Sequence, residues 1–461
     1  MANEPSAASP GAHPLLVPSI AASQFTVPFM VSAVAVALPP IGADLHAGAN
    51  TLSLVETLYL AGNVAVLLPA GRLADAGSKA SLYKFGLLGF ALLTLLVSFS
   101  TSVPVLLSLR FMQGAAAAFV AVAGPALIVG AVAPERRGRA LGTVVGAIYA
   151  GLTLGPVCAG FLIDAFGWRA VFVADAAVVL AAYGLARIVL PRGWRAPGAR
   201  AVHLPSCALV VAATLLLTLG PSNLRTPALG YALIAAGLAT AFVFVLLQRR
   251  LAQPLLDVGL LASNAQLRRA LLVQWLLYCN AFSSSFMLAI YMQVTLGNAA
   301  KVSGQVLALG SVLMAAVAPF AGALADRYPP RAVAACGVGV VLVSALLAIS
   351  FDADSSLVAV GVMLAVQGLG FALFSSPNMT MIMGSVPRDR ASTASSFAAK
   401  ARMLGMLSGM IITAIAISLG IGSAPVSADP LAFLPVMTAV FVALALLSLA
   451  ALAISLSARR A

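Results

Sequence analysis

From Leu15 to Ser457 the chain is a succession of long apolar runs broken by short polar turns. A hydrocarbon core about 30 Å thick takes roughly 20 residues of helix to cross, and a helix satisfies its backbone donors and acceptors within the segment. Runs of that length at this density constrain the fold more than any motif does. Spans are expected near 15–40, 51–70, 82–101, 103–132, 140–163 and 170–190, then near 204–220 and 227–248. Six more are expected near 270–292, 303–324, 332–351, 357–385, 392–420 and 431–457. The chain therefore reads as an all-α polytopic membrane protein with fourteen transmembrane helices. Only 8% of its residues are charged, against about 25% in soluble domains.

Residues 1–14 contain no Lys or Arg, and the run that follows exceeds a signal-peptide core, so it is expected to remain as the first span. Lys and Arg then set the orientation. With both termini cytoplasmic, 20 of the 26 Lys and Arg residues fall in inside segments, while Arg169, Arg225 and Lys301 fall outside. The net charge of +13 thus reads as topology, and no nucleic-acid partner is expected. The expected location is the inner (plasma) membrane, with the lipid bilayer as surroundings and a monomer as the working unit. Four scattered cysteines and three histidines near span ends suggest neither a disulfide framework nor a metal site.

The short polar turn "GRLAD" at 71–75 returns as "GALAD" at 322–326. Gln113–Gly114 returns as Gln367–Gly368, and "PERRGR" from Pro134 returns as "PRDR" from Pro387, always about 252 residues on. The expected organisation is a cytoplasmic tail at 1–14 and a first six-helix bundle at 15–190. A linker with two inserted helices at 191–269, a second bundle at 270–457 and a tail at 458–461 complete it. Parallel six-span repeats are the signature of rocking transporters, which bind substrate near mid-membrane between the repeats. The paired turns "GRLAD" and "GALAD" are expected to fasten equivalent cytoplasmic ends, with Gly71 permitting close helix approach.

Several motifs stand in order along the chain. They are "GRLADAGSK" at 71–79, "LLSLRFMQGAAAA" around Arg110, and "GAIYAGLTLGPVCAGFL" with Gly151, Gly155, Pro156 and Gly160. "VAVALPPI" in span 1, "FGWRAVF" before span 6, "YMQVTLG" after span 9 and "RMLG" at 402–405 accompany them. Together they resemble the major facilitator superfamily, specifically its fourteen-span drug/proton antiporters. The resemblance covers nearly the whole chain and implies multidrug-efflux-like transport driven by a proton gradient, without a cofactor. It assigns gating to Gly71, Asp75, Lys79, Gly151, Gly155, Pro156, Gly160, Asp326 and Arg327.

Ionisable groups inside a span are costly and mark function by default. Arg110 lies two turns into span 4 with Gln113 at i+3, and the resemblance makes it the leading proton-coupling candidate. Glu56 begins a stripe with Tyr59 and Asn63 on one helical face, and Asp175 lies in span 6. Both acids are near the outer interface, where simple hydration is the alternative reading. The chain also departs from the family: Met30 stands where span 1 typically carries an acid, and Ala76 follows Asp75 where a base is usual. Glu56 or Asp175 must then carry any coupled proton.

Lys400 and Arg402 enter span 13, and span 9 supplies Gln274, Trp275, Tyr278, Asn280 and Ser284. With Gln24, Met30, Tyr59, Asn63 and Gln113 these are the candidate cavity residues. Few acids beside several cations suit a neutral or anionic amphipathic organic substrate. Export in exchange for protons is the first reading, and proton-coupled uptake of an organic anion is the alternative. A membrane enzyme or non-transporting sensor would need a reactive cluster or an appended soluble domain, and the sequence offers neither.

Overall fold

A computed structural model describes residues 13–76, 78–190, 203–251, 254–256, 258–387, 391–422, 424 and 429–457; the side chains of Asp75 and Asp326 lie outside this description. The first bundle comprises α1 (Leu16–Asp44), α2 (Ala49–Ala76), α3 (Lys79–Ser98), α4 (Val103–Ala131), α5 (Pro134–Phe166) and α6 (Arg169–Val189). Then come α7 (Leu204–Ser222), α8 (Pro227–Arg250) and the short α9 (Val258–Ser263). The chain continues through α10 (Ala265–Ile290), α11 (Ala300–Arg327), α12 (Pro330–Ile349), α13 (Leu357–Gly384), α14 (Ala391–Gly420) and α15 (Phe433–Ser457). Among the described residues, fourteen helices are long and apolar enough to cross a membrane.

Two expected boundaries change. "PERRGR" is not a turn but the opening of α5, because Pro134 occupies the helix start, where its fixed φ suits the helix and its missing N–H costs nothing. α10 begins at Ala265 because the Asn264 side chain caps it, accepting from the Leu267 amide at 2.9 Å.

The α2–α3 and α4–α5 connections define the near end of the bundle, and the α1–α2 and α5–α6 connections define its far end. Within residues 16–189, α1 packs on α5, α2 on α4, and α3 on α4 and α6. Within 265–457 the equivalent pairs recur: α10 on α14, α11 on α13, and α12 on α13 and α15. Glycine sets the closeness of these pairs. A methyl group on Gly151 or Gly155 would strike the Phe25 or Phe29 carbonyl of α1. On Gly405 or Gly409 it would strike the Trp275 or Cys279 carbonyl of α10. Gly405 and Gly409 stand 254 positions after Gly151 and Gly155, so the repeat extends to individual backbone contacts.

The two halves meet along α5–α11 and α2–α14, and α7 lies against the second seam, touching both α2 and α14. A single apolar cluster joins the halves. It runs the full depth of the first, but its members in the second, such as Phe286, Met287, Leu364 and Phe441, sit toward the far end. Near-end residues of the second half, such as Leu267, Ile382 and Phe397, form a separate cluster. Meanwhile Gly142, Thr143, Val145 and Gly146 of α5 and Val312, Phe320 and Leu324 of α11 are exposed in their near-end portions. The halves are closed at the far end and parted at the near end.

One closing contact follows directly from "VAVALPPI". Pro40 has no N–H to give the Val36 carbonyl. α10 ends in a π-helical turn, Tyr291–Thr295, that brings Gln293 Nε2 to that carbonyl at 3.1 Å.

The expectation for Gly71 is corrected: a methyl group there would meet nothing within 4 Å, so the residue makes no close helix approach in this state. Gly155→Leu and Gly409→Leu, each forcing α5 or α14 off its partner, should destabilise the detergent-solubilised protein by about 1–3 kcal/mol. Gly71→Ala should leave the melting temperature unchanged or slightly raised. Thermal unfolding of the three variants checks this, and equal losses at all three positions would contradict it.

Candidate functional site

The first half holds a sealed charged cluster about 10 Å, or seven residues of helix rise, below the far end. α2 contributes Glu56, Tyr59 and Asn63 on one face, α3 Thr94, α4 Arg110 and Gln113, and α6 Asp175. Arg110 is fully buried, as is Glu56, and Asp175 is 2% exposed, so the hydration reading for the two acids is corrected. Arg110 Nη2 meets Glu56 Oε2 at 3.2 Å, Nη1 donates to Gln113 Oε1 at 2.7 Å, and Nε donates to the Val55 carbonyl at 3.1 Å. Gln113 Nε2 in turn donates to Thr94 Oγ1 at 2.7 Å, and the guanidinium lies 4.4 Å from the Tyr59 ring centre. A guanidinium removed from water needs hydrogen-bond partners, and this cage gives one to each of its three nitrogens.

The carboxyl oxygens fare differently. Glu56 Oε1, Tyr59 Oη, Asn63 Oδ1 and both Asp175 oxygens are buried without a hydrogen-bond partner. Asp175 nevertheless lies within electrostatic reach of Arg110. One guanidinium is thus paired with one carboxyl and within electrostatic reach of a second. The tight packing of α2 on α4 that holds this arrangement again rests on glycine. A methyl on Gly114 would strike the Tyr59 carbonyl, and one on Gly62 the Phe111 carbonyl.

A second polar region lies at mid-depth where the near-end cleft reaches the seam. Arg402 of α14 and Tyr149 of α5 both stand within electrostatic reach of the Tyr278 phenol of α10. All three are half-buried, and they come from both halves. Trp275 Nε1 donates to Ser408 Oγ at 3.1 Å, and the Lys400 ammonium lies 5.4 Å from the Phe397 ring centre. The acids in the described membrane windows near this depth, Glu56 and Asp175, belong to the sealed cluster instead. The cleft therefore offers aromatic walls and cationic groups. Tyr149 was not singled out in the sequence, although it stands two residues before Gly151 on the helix whose glycines face α1.

Other candidates are committed elsewhere. Gln24 donates to the Val120 carbonyl of α4 at 2.8 Å, and Met30 is fully buried in the core. Gln274 bridges the Ala398 carbonyl and Asn378, while Asn280 binds Ser448, Gln367 and Ser284 inside the second half. These residues tie helices together in this state and do not face the cleft. Gly151 and Gly155 face α1 within the first half, whereas Pro156 and Gly160 lie on the closed part of the seam: a methyl on Gly160 would strike Ala300 and Lys301, and one on Gly304 the Pro156 carbonyl. Lys79 opens α3 and Arg327 ends α11 at the near end, exposed in the latter case.

Known proteins place this architecture. The bacterial homologue of the human lysosomal transporter Spinster, crystallised in an inward-facing, unoccupied conformation, superposes with a TM-score of 0.70 at 14% identity, covering 96% of this chain and 97% of that one. In sequence the chain is similar to the riboflavin transporter RibZ of Clostridioides difficile, 26% identical over 81% of each chain. It is also similar to the probable actinorhodin transporter of Streptomyces coelicolor, 26% identical over 82% of this chain and 68% of that protein. The multidrug resistance protein Stp of Mycobacterium tuberculosis is 28% identical over 82% and 71%. The model of the Major Facilitator Superfamily matches residues 20–262 and 270–460, which leaves little of the chain outside it. With two matched sets of helices, a cleft at their seam and that match across both, the chain belongs to the Major Facilitator Superfamily.

Proposed function

We propose that this chain exports a small amphipathic organic compound, neutral or anionic, by alternating access in exchange for protons. The observation that carries the substrate class is the mid-depth cleft, where Arg402, Tyr278 and Tyr149 come together from both halves while Glu56 and Asp175 stay in the sealed cluster. Aromatic faces take an apolar ring system and a guanidinium takes a carboxylate or phenolate. Relatives named for riboflavin, actinorhodin and multidrug resistance support organic solutes and, in part, export. With the termini cytoplasmic, as the Lys/Arg distribution favours, the cleft opens to the cytoplasm, where an exporter loads.

Proton coupling is assigned to the cluster of Glu56, Arg110 and Asp175. One cation against two carboxyls leaves the charge open by one, and one proton closes it. Glu56 is the partner of Arg110, whereas Asp175 has two unpartnered oxygens. Asp175 is therefore the exchanging carboxyl, Glu56 the counterion, and Arg110 the group whose pairing reports the protonation state.

Inside-out proteoliposomes with an imposed pH gradient test the reading with three dyes of different charge. Fluorescein (anionic) and riboflavin (neutral) should accumulate with the gradient, and ethidium (cationic) should not. Arg402→Ala should weaken fluorescein transport about tenfold, the loss expected of one charge-assisted hydrogen bond, and leave riboflavin little changed. Flux of every dye indifferent to the gradient would remove the coupling, and accumulation in the opposite sense would make the protein a symporter. Asp175→Asn should retain downhill dye flux but lose gradient-driven accumulation. Full accumulation by that variant would transfer the proton role away from Asp175.

A further inference from the structure

The hairpin α7–α8, inserted between the two halves, has its own set of ties. At the far end, Asn50 Nδ2 at the start of α2 donates to the Ser222 carbonyl that ends α7, at 2.6 Å. At the near end, Arg72 of α2 donates to the Pro254 carbonyl just past α8. α7 also packs along α2, while α8 turns residues such as Tyr231, Leu238 and Phe242 outward. The hairpin is thus carried by α2, as part of the first half.

On the side of the second half, α7 touches α14, and one side chain of the turn bonds across to it. Arg225, in the α7–α8 turn, donates through Nε to the Ser418 carbonyl in the last turn of α14, at 2.9 Å. Three further features converge there. Gly422 has φ +71°, and a methyl group on it would overlap the Arg225 guanidinium, so glycine is needed for both its backbone and its contact. The Gly422 carbonyl accepts from the Asn50 amide at 3.2 Å, which places α2, the hairpin turn and the end of α14 in one knot. A cation at a helix C-terminus also meets the negative end of the helix dipole. Every one of these bonds lies at the far end of the α2–α14 seam, which must part when the far end opens.

We propose that Arg225 is a latch: the inserted hairpin rides with the first half and, through Arg225 on the end of α14, holds the transporter in its far-end-closed state. This rests on the alternating-access reading above. The latch is formed in the near-open state and broken in the far-open one, so it biases the equilibrium without touching substrate or the charged cluster. It also gives the two extra helices of a fourteen-span chain a mechanical task on one seam.

Distance measurements between spin labels test it in full-length, reconstituted protein. Labels go at Thr143 of α5 and Phe320 of α11, both exposed toward the near end, as genetically encoded amino acids so that the native cysteines stay. The unmodified chain should show a long, near-open distance as its main population. Arg225→Ala should raise the short, near-closed population relative to the long one by about tenfold, the range for a hydrogen bond to a charged group. Arg225→Lys should fall between the two, and Asn50→Asp, which removes the donor to Ser222 at constant shape, should shift the ratio the same way. Arg169→Ala, which breaks the Asp44 pair inside the first half, should leave it alone. Unchanged ratios in both Arg225 variants and in Asn50→Asp, with the long distance intact, would overturn the latch. A single distance in every variant and at every pH would overturn it by a different route, by removing alternating access itself.

Discussion

Inside a bilayer, helices gain little by hiding leucine from leucine, because the lipid outside is as apolar as the helix inside. Association has to come from close van der Waals contact, and here glycine against backbone carbonyl provides it. Gly151 and Gly155 lay α5 on α1, Gly405 and Gly409 lay α14 on α10, and Gly114 and Gly368 do the same for α4 on α2 and α13 on α11. These contacts make each half a stiff body. Among the described residues, the seams between halves have such contacts toward the far end, at Gly160 and Gly304. The cleft is therefore what remains when two stiff bodies touch at one end, and its opening needs no further device to explain it.

The repeat separates what folding requires from what function adds. Positions 251 to 254 residues after Glu56 and Arg110 are Leu307 and Leu364, so the second half dispenses with the ion pair. It keeps the packing: Gly368 approaches the Gly310 carbonyl as Gly114 approaches that of Tyr59, 251 residues earlier. It keeps the amide as well, with Gln367 bonding Asn280 at 2.9 Å where Gln113 bonds Thr94 and Arg110. A six-helix half of this design thus assembles without buried charge. Placing a guanidinium and two carboxyls in membrane costs several kcal/mol, and the uncharged half shows that stability did not call for it.

Much of this was legible in the sequence because its strongest determinants are one-dimensional. Run length predicts fourteen crossings, and the prolines and glycines of "VAVALPPI" and "GLTLGPVCAG" point to sites where backbones are freed or approach closely. Arg110 and Gln113 at i+3 already suggest a shared face. What the sequence hid depends on which way a helix turns. Gln24 and Gln274 look like cavity walls because both are polar in apolar runs, yet each points into its own half to satisfy a backbone carbonyl. Arg225 looked like an ordinary outside-loop cation, because nothing in its neighbours signals a carbonyl almost 200 residues away. The equivalence of Gly151 with Gly405 was present as a constant offset, but "RMLGMLSG" and "YAGLTLG" share too few other letters to stand out.

α2 is where these features meet. Its first turn holds Asn50, tied to the hairpin and, through its own amide, to Gly422 of the other half. Two turns on it carries Glu56 in the ion pair with Arg110, and near its other end Arg72 binds the chain leading into the second half. Between them, Gly62 and Gly114 press α2 onto α4 with no room for a methyl group, so α2 cannot slide on α4 without repacking. A movement of α2 that keeps this packing carries α4 with it and is imposed on the seam at Asn50 and Gly422. The ion pair and the far-end seam thus stand on one rigid rod, about 10 Å apart along the helix.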